Sequence, residues 1–120
     1  MRILLLSLAV LAAAAPVAAS DRSVPAATPA GPPVDCIALN QIRETHVRSD
    51  QVIDFELSGG RIYRNTLDGA CPQLGFEERF SYSVSTGQLC STDLVTVLQS
   101  TGGRGATCGL GQFQPVTLAK

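Results

Sequence analysis

Residues 51–67, "QVIDFELSGGRIYRNTL", decide how the chain is read. Ile53, Phe55 and Leu57 alternate with Asp54 and Glu56, a period of two that places apolar groups on one face and carboxylates on the other. That is the pattern of a half-buried strand. Gly59-Gly60 then supplies the positive φ that a tight hairpin turn demands. "RIYRNTL" returns as the partner strand, with Tyr63 and Leu67 able to face Phe55 and its neighbours. An antiparallel hairpin is expected here, and the remaining segments decide what packs on it.

Upstream, "IRETHV" at 42–47 alternates with β-branched residues and runs into a Ser49-Asp50 turn signal. Downstream, "GFEERFSYSVS" at 75–85 mixes two periods. Phe76 and Phe80 are one helical turn apart, whereas Phe80, Tyr82 and Val84 alternate. The expectation is one helical turn over 72–78 and a strand over 79–85, ended by a Thr86-Gly87 turn. "DLVTVLQ" at 93–99 is apolar on both faces, as a central strand or a barrel strand should be. "STGGRGATCGLG" at 100–111 carries five glycines and reads as a loop. "QFQPVTL" at 112–118 closes the sheet, with Pro115 confining it to an edge or a bulge. Short strands with turn signals about every 8–12 residues imply an all-β fold rather than βαβ units. The expected architecture is a small antiparallel barrel or sandwich of about five to six strands, with one short helical turn and two disulfides.

The N-terminal stretch "MRILLLSLAVLAAAAPVAAS" has Arg2, an apolar run over 3–15, then Pro16 and small residues. This is the layout of a cleavable secretory signal, expected to span 1–19. The run falls short of the roughly 20 residues that a membrane span needs. Residues 20–34 include four prolines and no large apolar side chain beyond valine, and read as a disordered or polyproline-like tether. Residues 35–120 read as one domain, small enough that covalent staples matter.

Export makes the four cysteines, Cys36, Cys71, Cys90 and Cys108, two disulfides on first reading. Three pairings are possible. Cys36 with Cys108 and Cys71 with Cys90 is favoured, because it joins the two ends of the domain and closes its middle. Structural zinc wants cysteines paired two to four residues apart, and here 34, 18 and 17 residues intervene. No metal site and no cofactor are expected. A catalytic thiol would need a base, and His46, the chain's single imidazole, reads as a surface residue of a charged strand.

Loss of the signal with Arg2 leaves eight cations against ten anions. With no basic run, binding to nucleic acid or to an anionic membrane is not expected. Glu77 and Glu78 are adjacent, so they point apart and cannot flank one bond as a glycosidase pair must. Asp54 and Glu56 share a face with Arg61 and Arg64 in reach on the next strand, which suggests cross-strand ion pairs at the surface. There is no Gly-x-Ser-x-Gly elbow and no Walker loop.

Four markers run through 35–116: Arg61-x-Tyr63-x-x-x-Leu67, Cys71-Pro72-x-Leu74, Leu89-Cys90-x-x-Asp93 and Cys108-x-Leu110. In these the chain resembles a family of short exported bacterial proteins catalogued as a domain of unknown function. The resemblance implies an exported protein with two disulfides and carries no assigned activity. "SGGRIY" is also similar to the Ser-Gly-x-x-Tyr loop by which small β-barrel lysozyme inhibitors of the periplasm meet their enzyme. Here Tyr63 stands one residue further on, a slip that turns a strand side chain to the other face, and an ordinary Gly-Gly hairpin accounts for the same residues.

The expected function is therefore a non-enzymatic binding or structural module of the cell envelope, periplasmic or secreted, whose partner is an unidentified protein or envelope component. The alternatives are an inhibitor of a cell-wall lytic enzyme, with Ser58, Arg61 and Tyr63 as the contact, and a small hydrolase using His46 with a serine or reduced cysteine.

Overall fold

The computed structural model describes residues 24–119, so the expected signal and residues 20–23 lie outside the described residues. Along this span run β1 (Ala27–Pro29), β2 (Cys36–Ala38), β3 (Ile42–Val47), β4 (Val52–Leu57), β5 (Ile62–Thr66), the helical turn α1 (Leu74–Glu77), β6 (Phe80–Ser81), β7 (Gln88–Cys90), β8 (Leu94–Leu98), β9 (Arg104–Gly109) and β10 (Phe113–Leu118). Every pairing is antiparallel. The sheets are β1-β10-β5-β4-β3, β2-β7 and β6-β8-β9. The all-β fold, the single helical turn and the two disulfides agree with the sequence, and the arrangement is sandwich-like with no closed barrel. There are more strands than five or six because β1, β2, β6 and β7 are only two or three residues long, too short to leave a periodic signal.

The hairpin forms as its alternation dictates. Gly59 and Gly60 turn the chain at φ 83° and 79°. Ile53 then pairs with Asn65 and Phe55 with Tyr63, and the same rows continue on β10 as Phe113 and Pro115. On the other side β3 needs a correction to its period, because Ile42 and Val47 both pack on the core although five positions apart. A bulge supplies it. Ile42 pairs with Leu57 but Glu44 pairs with Glu56, so Arg43 is the extra residue and the face of the strand switches there. Thr45 and Val47 then share the inner rows, while Glu44 and His46 share the outer rows of Glu56 and Asp54.

All three sheets feed one core, from Ile37 on β2, Phe55 on β4, Leu89 on β7, Val95 and Val97 on β8 and Phe113 on β10. The Phe55 ring meets Phe80 and Phe113 edge-on at centroid distances of 6.3 and 5.4 Å, the arrangement aromatic quadrupoles favour. Asn65 is buried in this core yet satisfied: its amide donates to the Gly111 carbonyl at 2.7 Å and accepts the Gly111 N–H at 2.8 Å. That pair fixes where β10 begins.

Several expectations are corrected. The favoured disulfide pairing is wrong: the bonds are Cys36–Cys90 and Cys71–Cys108. Cys36 and Cys90 are register partners in the β2-β7 ribbon, which no periodic signal announces. The expected tether over 20–34 is, in its described part, laid along the sheet. Ala27–Pro29 pairs with β10, and Val34 exchanges two backbone hydrogen bonds with Phe113. Its order comes from main-chain pairing with a sheet edge, which needs no large side chains. The glycine-rich segment 100–111 contains β9. Within β9, crowding selects glycine at 105, where a Cβ would lie 3.2 Å from the Val97 Cβ. The strand over 79–85 shortens to Phe80–Ser81. Residues 93–99 do supply the central strand of a sheet, β8 between β6 and β9, but it is half-buried: Val95 and Val97 are buried and Leu94 is 57% exposed. β10 is an interior strand despite Pro115. The Pro115 carbonyl accepts from Ala30, so its missing N–H faces the point where β1 has run out.

A Cβ on Gly111 would collide with the backbone carbonyl oxygen of Thr66, the last residue of β5, in register with Val52 on β4. Gly111→Ala is expected to break the Asn65 pair and destabilise the domain by about 2–4 kcal/mol. Gly69→Ala, with nothing within 4 Å of its Cβ, should shift stability by less than about 0.5 kcal/mol. Equal urea midpoints for the two variants would contradict the packing described.

Candidate functional site

The β1–β10 pairing is interrupted. Ala30 bonds to Pro115 and Val34 to Phe113, so residues 31–33 stand out opposite Gln114 alone. Gln114 Nε2 donates to the Gly31 carbonyl at 2.8 Å and pins this proline bulge. On the other flank of β10 lies the start of β5 after the Gly59-Gly60 turn. Between the two walls is a groove of about 570 Å³ lined by Pro32, Val34, Arg61, Tyr63, Pro115 and Val116 among others. That size suits a small ligand or a short stretch of peptide.

Two of the three expected contact residues meet here. Tyr63 is half-buried, packing on the core as well as lining the groove. Arg61 is exposed at the rim. Its Nε donates to the Ser58 carbonyl at 3.3 Å and its Nη2 to Gln41 Oε1 at 3.0 Å. Ser58 sits half-buried in the turn outside the groove and reaches Arg61 only through its carbonyl. The proline bulge that forms the second wall leaves no pattern in the sequence except its prolines, which read as a tether.

The opposite face of the five-stranded sheet is charged. Asp54 lies on it, yet its side chain is 0% exposed because two guanidinium groups cover it. Arg64 donates from Nε to Oδ1 at 2.8 Å and from Nη2 to Oδ2 at 3.0 Å, and Arg48 donates from Nε to Oδ2 at 3.0 Å. Burial, the largest single influence, raises the carboxyl. The hydrogen bonds from Arg64 and Arg48, with both positive charges, outweigh it and hold Asp54 below the usual carboxylate range. The expected pairing of Arg64 with Asp54 is present but sealed, whereas Arg61 turns to Gln41 and Glu56 to His46. His46 Nε2 lies 3.3 Å from Glu56 Oε2 and 3.7 Å from Glu44 Oε2.

The glutamates after Cys71 diverge. Glu77 accepts the Ser100 N–H at 2.8 Å, and Glu78 closes α1 at φ 54°. All four cysteines are oxidised, so the thiol route to a hydrolase has no nucleophile. No helix among the described residues is long and apolar enough to cross a membrane. The chain matches no protein-family model, no curated protein and no solved structure.

A lowered folded-state value means that Asp54 stabilises the fold above its unfolded value, near 4, and that this contribution is lost as pH falls through the folded value. Asp54→Asn is expected to cost about 3 kcal/mol at pH 7. The gap to the native protein should narrow below about pH 4 in urea melts. A gap that stays constant down to pH 2 would refute a stabilising carboxylate.

Proposed function

We propose that this chain is an exported, non-enzymatic binding module of the cell envelope that holds an extended, largely apolar segment of a partner protein in the groove beside β10. The observation that carries the reading is the groove itself, in which Tyr63, Val34 and two prolines form the walls and floor and Arg61 stands at the rim. A rigid apolar cleft with one charged donor loses little entropy on binding, and aromatic and arginine side chains are the usual energetic anchors of an interface. Two disulfides suit an oxidising compartment.

The test is copurification of the exported protein from envelope extracts beside the variants Arg61→Glu and Val34→Asp. Both residues are exposed enough to change without loss of core. A specific partner retained by the native protein and reduced about tenfold by either variant supports the reading. No partner, or equal retention by both variants, removes it. Exposure of Arg61 directly after the Gly-Gly turn also favours the lytic-enzyme inhibitor as a second reading. A lysozyme lysis assay decides that one: undiminished lysis at excess protein excludes it.

A further inference from the structure

The outer face of β3 and β4 gathers three ligand groups that do nothing for the groove. The Arg43 bulge turns Glu44 and His46 outward together, two residues apart on one strand. It also places Glu44 directly opposite Glu56. Two like charges in direct cross-strand register oppose sheet pairing, and Arg64 is turned to Asp54 in the adjoining row. Between the two carboxylates stands the His46 imidazole, with the three ligand atoms all within 4.8 Å of one another.

We propose that Glu44, His46 and Glu56 form a surface site for a borderline divalent cation of the Zn²⁺ class. Zinc bonds to imidazole nitrogen and carboxylate oxygen of about 2.0–2.1 Å in a tetrahedron set ligand atoms roughly 3.3 Å apart. The His46 distances of 3.3 and 3.7 Å are already near this value. Glu44, with 64% of its side chain exposed, is free enough to swing and close the remaining edge. Two carboxylates neutralise the ion, and the register repulsion becomes attraction. The imidazole selects against Mg²⁺ and Ca²⁺, which want an all-oxygen shell. Three protein ligands leave a fourth position open to water or to a group from a partner. Cysteine spacing, the ground for expecting no zinc, says nothing of this set, whose members come together only across two strands and a bulge. The site is independent of the groove reading.

Isothermal titration of the purified protein with ZnCl₂ tests it, alongside His46→Ala, Glu56→Gln and, as a control, Glu78→Gln on the exposed end of α1. The expected result is one ion per chain, affinity at least about tenfold weaker in His46→Ala and Glu56→Gln, no change in Glu78→Gln, and stoichiometric perturbation of the His46 ring signals in NMR. Mg²⁺ should bind at least about tenfold more weakly than Zn²⁺. Undiminished Zn²⁺ affinity in His46→Ala, or no binding to the native protein at millimolar ion, would overturn the site. Thermal melts of the same variants show whether each is folded, and a weakened affinity counts for the site only in a variant that melts cooperatively.

Discussion

Cys71 is sealed from solvent, and its bond to Cys108 ties the end of the β3-β4-β5 meander to β9 in a different sheet. The short segment carrying Cys71 is held from the other direction by the turn before β4. The Asp50 carbonyl accepts the Cys71 N–H at 2.7 Å, the Asp50 carboxylate accepts the Gly75 N–H at 2.7 Å, and Gln51 bonds to Leu67 through both its backbone and its side chain. With this anchor in place Leu67 and Leu74 enter the core on either side of the cystine. The second bond, Cys36–Cys90, closes the β2-β7 ribbon, so each of the three sheets carries at least one cystine or packs directly against one. On chain-entropy grounds loops of this length contribute about 4 kcal/mol each, a large share of the roughly 5–15 kcal/mol typical of a domain.

The two faces of the five-stranded sheet then divide the chemistry. The inner rows, from Phe113 and Asn65 to Ile53, are spent on the core, and the groove lies where Pro115 and Tyr63 reach the border of that core. The outer rows carry every charged group of the meander's strands except Arg43. The single-residue bulge at Arg43 decides this allocation for β3, and without it Glu44 and His46 would be in the rows of Phe55 and Ile53. A shift of one residue thus separates a buried carboxylate with no partner from an exposed cluster.

Where side-chain period controls structure, the fold is legible in the sequence. Ile53, Phe55 and Leu57 alternate without a break and are all buried, and Gly59-Gly60 turns the chain as its dipeptide demands. Elsewhere order comes from the backbone or from crowding, neither of which has a period. β1 is a proline-containing stretch held by main-chain bonds to β10, and β9 has glycine at 105, where Val97 fills the space a side chain would need. The cystine pairing escapes the sequence for the same reason, since β2, β7 and β9, which carry three of the four half-cystines, give no strand signal. Of the expected contact residues Arg61 and Tyr63 do meet, but the proline wall facing them has the composition of a tether.

The claim on which the rest stands is that both bonds are structural and join these particular partners. Proteolysis of the unreduced, folded protein followed by mass identification of linked peptides tests it most directly. The account predicts peptides joining Cys36 to Cys90 and Cys71 to Cys108, with no free thiol. A peptide joining Cys36 to Cys108, or a thiol free to react with iodoacetamide in the folded protein, would contradict it.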